Sequence, residues 1–255
     1  MNKEQLPQLF LMHYAGGSSY SLNFLKKKLE YFFDIISLEL PGRGDRMEEE
    51  LIKNREKAVE DQLRQFNKFR RPNTPVAIYG HSMGALLGFE LVKKIEKQNI
   101  EVSCLIVTGC TGPGIFGGEF RYNLPKDKFI MALKELGGIP DEVYDSEELF
   151  DFFEPILRAD FEIVEQEHES ISEEKINCPI FCVMGSEEKN AYNITNWKNY
   201  THSNFEHEQF SGNHFFINQH SEKLSEFIKK AYHTSLDLEF EGVEEVMSVS
   251  LDFNF

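Results

Sequence analysis

Gly80-His81-Ser82-Met83-Gly84 is the part of this 255-residue chain whose residue types and spacing point most directly to chemistry. A serine between two glycines, one residue removed on each side, is the G-x-S-x-G pattern of a nucleophile held on a sharp turn. The bare pattern is weak, and its context strengthens it. Val76-Ala77-Ile78-Tyr79 runs straight into it as a strand, and an apolar-faced helix runs straight out of it. A strand-to-helix turn that tight pushes Ser82 into strained backbone geometry. It also needs glycines at positions 80 and 84, where side chains would collide. A serine hydroxyl so placed, at the positive end of a helix dipole, can attack an acyl carbonyl.

Such a serine needs a general base, and histidine serves near neutral pH. Of the eight histidines, His214 stands where the order serine, acid, histidine requires it. It lies in Ser211-Gly212-Asn213-His214, between the last core strand and the closing helix. The acid should follow the fifth strand. Glu187 and Glu188 stand there, in Ser186-Glu187-Glu188-Lys189, and no aspartate does. Glu188 is the expected orienting acid and Glu187 a solvated one. Asp160, in Leu157-Arg158-Ala159-Asp160-Phe161, is the fallback, although its place suits a structural pairing better. The oxyanion of a tetrahedral intermediate needs preorganised N–H donors. Those expected are the backbone N–H of Met83 and that of Ala15, in the loop Tyr14-Ala15-Gly16-Gly17.

The elements that must position these groups alternate. Strands are expected at 8–14, 34–40, 75–79, 104–108, 179–184 and 205–210. Helices are expected at 20–31, 56–69, 82–98 and 220–232. That rhythm predicts an α/β fold, a mostly parallel sheet with helices on both faces, and the serine elbow with the order serine, acid, histidine makes it the α/β-hydrolase fold. Residues 113–175 break it. They hold helical patterns at 126–136, 146–153 and 156–166 and no strand, so they read as a lid over the carboxyl ends of the strands. Six lid phenylalanines, Phe116, Phe120, Phe129, Phe150, Phe152 and Phe153, are read as core or as walls of an acyl channel. Residues 1–234 are expected to form the hydrolase domain with that lid, and 235–255 an acidic extension. In the extension Met247, Val249, Leu251, Phe253 and Phe255 alternate with polar residues. The period of two predicts a β-like tail docked on its own core or on a partner.

Composition bounds the partners. A formal net charge of -16 opposes nucleic acid and anionic membrane alike. The sequence shows no signal peptide and no stretch of about 20 apolar residues. Cys104, Cys110, Cys178 and Cys182 sit in or beside apolar runs without CxxC spacing, as reduced core thiols of a cytoplasmic protein do. No metal or cofactor is expected.

Taken together, the segments His13-Tyr14-Ala15-Gly16-Gly17, Leu40-Pro41-Gly42-Arg43 with Arg46, Gly80-His81-Ser82-Met83-Gly84-Ala85, Leu136-Gly137-Gly138-Ile139-Pro140, Leu157-Arg158-Ala159-Asp160-Phe161 and Gly212-Asn213-His214-Phe215-Phe216 resemble the type II thioesterases. These are the discrete editing enzymes of non-ribosomal peptide and polyketide synthesis. The resemblance covers nearly the whole chain to about Tyr232, and the two lid segments are its most specific part. It implies a substrate held as an acyl or aminoacyl thioester on the phosphopantetheine of a carrier protein. It carries the family's serine to Ser82, its histidine to His214 and its aspartate to Glu188, where this chain departs from the family. A carrier, itself usually acidic, would need a basic or apolar docking patch. Lys26-Lys27-Lys28, Arg43 with Arg46, and Arg70-Arg71 are the candidates. A small-molecule esterase, an acyl transferase and a non-catalytic carrier-binding or assembly subunit are the alternatives on the same fold.

Overall fold

The computed structural model describes residues 3–115, 120–165 and 174–252, the stretch 239–252 by its backbone alone. Six strands form one sheet: β1 (Gln8–Met12), β2 (Asp34–Leu38), β3 (Val76–His81), β4 (Cys104–Thr108), β5 (Ile180–Gly185) and β6 (Phe205–Phe210). Their order is β2-β1-β3-β4-β5-β6, and every pair is parallel. All six strands expected from the sequence are present. Parallel strands need crossovers, and the alternating helices supply them.

The apolar runs of the central strands follow from burial on both faces. Successive residues of β1 point to opposite sides. Phe10 and Met12 join a core with Ile78, Phe66, Phe89 and Trp197, under α2 (Arg55–Phe69) and α3 (Met83–Glu96). Leu9 and Leu11 join another with Tyr79, Phe181, Leu224 and Ile228, under α1 (Asn23–Leu29) and the C-terminal helix. Strand order reverses between β1 and β3. In such sheets the crevice outside the carboxyl ends at that reversal is where ligands bind.

The lid is helical as expected, with differences in detail. It contains α4 (Lys126–Leu136), a short α5 (Asp141–Asp145) that the sequence pattern did not reveal, and α6 (Glu147–Glu165). Two helices meeting near Pro155 were expected where α6 is continuous. An interior proline removes one backbone bond and usually breaks a helix. Here the C-terminal half is anchored by Arg158, which donates to the carbonyls of Tyr122 and Leu124 and pairs with Glu154. Phe129, Leu133, Phe150, Leu157 and Phe161 form the lid's own small core. Phe116 of the expected channel lies outside the described residues.

The expected β-like tail is corrected by the structure. Beyond α7 (Phe216–Gln219), one helix, α8, runs from Ser221 to Asp252. Alternation at period two was outweighed by continuity with an anchored helix, because an added residue extends an existing helix without a new nucleation cost. Leu224, Phe227, Ile228, Ala231 and Tyr232 are buried at helical spacing, and Ser235 and Leu236 continue that face. Gly242 lies within this helix, where a glycine costs about 1 kcal/mol and is tolerated. Phe253 and Phe255 lie outside the described residues.

Candidate active site

Ser82 adopts φ 55 and ψ -115, a conformation that residues with side chains rarely hold. The elbow survives because close contacts fix it. A Cβ on Gly84 would lie 2.2 Å from the carbonyl oxygen of Met12, and one on Gly80 would lie 2.1 Å from that of Gly84. The start of α3 therefore packs directly on the end of β1. The Ser82 N–H donates to the Thr108 carbonyl at 2.8 Å, which ties the elbow to β4 as well.

Three elements converge on this turn. His214 Nε2 lies 2.9 Å from Ser82 Oγ, and His214 Nδ1 lies 2.7 Å from Glu188 Oε2. The other Glu188 oxygen accepts from the Gly185 N–H at 2.8 Å, so the carboxylate is held at both ends. The loops carrying acid and imidazole are joined by the Glu187 N–H, which donates to the Gly212 carbonyl at 3.0 Å. A Cβ on Gly185 would lie 2.5 Å from the Asn213 carbonyl oxygen, which shows how closely they approach. Of the acids weighed from the sequence, the structure brings only Glu188 to the imidazole. Glu187 has an exposed side chain.

An imidazole bonded to a carboxylate through Nδ1 is held as the tautomer with a proton on that nitrogen. Its Nε2 lone pair then faces the serine hydroxyl and can take its proton. The arrangement can therefore perform nucleophilic acyl transfer. Met83 is the first residue of α3, so its N–H has no acceptor within the helix. The loop 14–17 leaves the end of β1, the strand end against which α3 packs. Ala15 and Met83 thus flank the crevice between β1 and β3.

His81 is fully buried beside this site. Its Nδ1 lies 2.9 Å from Thr108 Oγ1, and its ring centre lies 5.0 Å from that of His214. Desolvation, with the neighbouring His214 second, lowers its pKa well below the usual imidazole value, so it is neutral. His13 is also buried, and desolvation, then Arg43, lowers its pKa. Its Nε2 and Glu39 Oε1 face each other at 3.5 Å, each without another hydrogen-bond partner among the described residues. Burial pushes the Cys110 thiol up to about 12, so it is no competing nucleophile.

Between the lid and the loop 14–17 lies a mostly apolar cavity of about 130 Å³. Leu133, Val143, Phe153, Leu157, Phe161 and Phe215 form its apolar walls. Of the lid phenylalanines proposed from sequence for a channel that lie among the described residues, only Phe153 lines it. Phe129 and Phe150 are lid core, and Phe152 is 52% exposed. Phe215 went unnoticed in the sequence as a wall. Its ring packs edge-on against Tyr14, 5.0 Å away, and His214, 5.3 Å away. Adjacency to His214 was the only signal.

Another group missed from sequence is the 3-10 segment Ala191–Tyr200. Its buried Trp197 donates Nε1–H to the Cys110 carbonyl, and Asn196 donates to the carbonyls of Thr111 and Pro113. These bonds fasten the first connection into the lid. The sole tryptophan of the chain was the available signal.

Several candidate docking cations are engaged internally. Arg43 is buried against Asp160, Arg46 pairs with Glu49 and Asp61, Arg71 with Asp34, and Lys28 with Glu222. Asp160 thus has the structural pairing anticipated for it. No group of three or more metal-ligating side chains occurs among the described residues, and no helix there is long and apolar enough to cross a membrane.

The chain is similar to known proteins along most of its length. The family model described as a thioesterase domain matches residues 7–232. Linear gramicidin dehydrogenase LgrE of Brevibacillus parabrevis is 30% identical, over 92% of this chain and 91% of its own. Gramicidin S biosynthesis protein GrsT of Aneurinibacillus migulanus is 31% identical, over 88% of each. Among solved structures, ClbQ from the colibactin NRPS/PKS pathway superposes with a TM-score of 0.81 at 26% identity, covering 91% of this chain and 99% of its own.

Proposed function

Because the chain belongs to the thioesterase family, we propose that it hydrolyses acyl or aminoacyl thioesters carried on the phosphopantetheine arm of an acyl or peptidyl carrier protein. The observation that carries the mechanism is the line Ser82 Oγ, His214, Glu188, with contacts of 2.9 and 2.7 Å. Ser82 Oγ attacks the thioester carbonyl while His214 Nε2 takes its proton. The N–H groups of Ala15 and Met83 receive the developing oxyanion. The intermediate collapses to an acyl-Ser82 ester, and the proton on His214 passes to the departing sulfur, which leaves as the carrier's free thiol. Water then attacks the ester with His214 as base again, releasing the carboxylic acid and restoring the serine. Glu188 holds the imidazole tautomer and stabilises the imidazolium.

The resemblance to synthetase-associated relatives supports a carrier-borne substrate, as does the apolar cavity beside the loop of Ala15. Four cysteines without disulfides suit a cytoplasmic enzyme. One relative bears the name of a dehydrogenase, but serine, imidazole and carboxylate in line are the groups of acyl transfer. The test compares turnover of an acyl-loaded carrier with that of a simple ester of the same acyl group. The carrier thioester should be preferred, and Ser82→Ala should lose roughly 10³-fold or more while staying folded. Preference for the free ester would point to a small-molecule esterase, and full activity of Ser82→Ala would remove the serine mechanism.

A further inference from the structure

A buried ion pair joins the lid to the loop that carries the proposed oxyanion donor. Asp160 lies on α6 and is fully buried, and Arg43, in the loop after β2, is 4% exposed. The guanidinium grips the carboxylate with two bonds, Nη1 to Oδ2 at 2.5 Å and Nη2 to Oδ1 at 2.8 Å. Both partners also reach the loop after β1. Asp160 Oδ2 accepts from the Gly16 N–H at 2.7 Å, and Arg43 Nη1 donates to the Gly17 carbonyl at 3.3 Å. Two residues beyond Gly17, the Ser19 N–H donates to Glu39 Oε2 at 3.0 Å.

Gly16 directly follows Ala15, so its N–H and the Ala15 carbonyl belong to the same peptide plane. Fixing that plane restricts ψ of Ala15, and the Gly17 anchor restricts the next turn of chain. A two-point hold on an otherwise glycine-rich loop limits the directions in which the Ala15 N–H can aim. Preorganisation of that kind is what gives oxyanion donors their effect, because no reorganisation is left for the transition state.

We propose that Arg43 and Asp160 are positioning residues for the oxyanion hole, and that seating of α6 through Asp160 makes a competent hole conditional on a closed lid. This rests on the acyl-Ser82 reading. The pair touches neither reacting atom. It acts through the backbone of Gly16 and Gly17 on Ala15.

A buried charge stripped of its partner destabilises a fold, whereas replacing both charges by apolar residues of similar volume is often tolerated. The decisive variant is therefore the double substitution Arg43→Met with Asp160→Leu, measured on the full chain with an acyl-pantetheine thioester. In a folded double variant kcat and kcat/KM should fall together, roughly 100-fold, the size of effect seen when one oxyanion donor is lost. Affinity for a trifluoromethyl ketone analogue, which forms the tetrahedral adduct, should fall in parallel. Affinity for the matching unreactive thioether should hold, and so should the pH midpoint of kcat/KM. Turnover within twofold of wild type overturns the proposal. A rise in KM with kcat unchanged, or equal weakening of ketone and thioether, overturns it too, since the pair would then serve substrate binding alone.

Should the double variant not fold, Arg43→Lys and Asp160→Asn decide instead. Each must lower kcat with KM held, and any other pattern overturns the proposal. Ser82→Ala is run beside them. If it is inactive while wild type turns over, the acyl-serine reading stands whatever the pair does. If it is fully active, that reading falls and this one with it.

Discussion

Glu188 does two things with one carboxylate, and this explains why a glutamate can stand where the resembling family places aspartate. One oxygen turns back to the Gly185 N–H and the other reaches His214 Nδ1. The backward bond uses the extra methylene to make a compact turn from β5, so the reach to the imidazole is not left to a free side chain. Glu187, one residue earlier, contributes its backbone N–H to the loop of His214 and leaves its carboxylate in solvent. Glu188→Gln is therefore expected to lower kcat at least about tenfold more than Glu187→Gln, because an amide there favours the wrong tautomer of His214. Parallel kinetics of the two variants measure it, and equal losses would mean that the acid is misassigned. At this scale the sequence was informative where chain order dictates chemistry, as for Ser82 and His214. It was silent on Phe215 and on the hold that Arg43 and Asp160 exert on Gly16 and Gly17, because those contacts join residues distant in the chain, Arg43 and Gly17 by 26 positions and Asp160 and Gly16 by 144.

The elements were legible wherever burial alone sets the pattern. Strands β1 to β5 are short apolar runs between turn residues, β6 at the sheet edge alternates apolar with polar only in part, and their length and alternation with helices identify them. Two elements defeated that reasoning for opposite reasons. Pro155 suggested a break that tertiary anchoring of α6 through Arg158 overrides. The tail suggested strands, yet it extends α8, whose first turns are already fixed against the core. The helical tail also restates the question of its purpose. Residues beyond Leu238 lie past every group of the proposed mechanism. A chain ending at Leu238 retains Ser235 and Leu236 on the core. It is expected to turn over a small soluble thioester within about twofold of the full chain and to melt within a few degrees of it, with less helical circular dichroism. Loss of turnover in that folded truncation would show that the extension belongs to the active site.

At the scale of the whole molecule, two buried imidazoles set an acid limit. His13 and His81 both have pKa values lowered chiefly by desolvation. Unfolding exposes them to water, where an imidazole titrates near about 6.5. Below that pH the unfolded chain takes up protons that the folded chain refuses, so stability is full above about 6.5 and declines as pH falls towards the folded values. The melting temperature should therefore drop between pH 7.5 and 5.5, and less steeply in His81→Gln. An unchanged slope in that variant would remove His81 from the account. The whole molecule also explains the site: a strand-order reversal opens a crevice, α3 closes on β1 at Gly84, and the lid seats on the loop between them. All of this geometry converges on one proposed chemical event, the transfer of an acyl group to Ser82. Rapid quenching of the protein with a stoichiometric acyl-loaded carrier, followed by intact mass and peptide mapping, observes that event directly. The expected result is one acyl group on the peptide containing Ser82, with the carrier released as its free thiol and no adduct in Ser82→Ala. Carrier hydrolysis at the wild-type rate in Ser82→Ala, or an acyl group mapped to another residue, would contradict it.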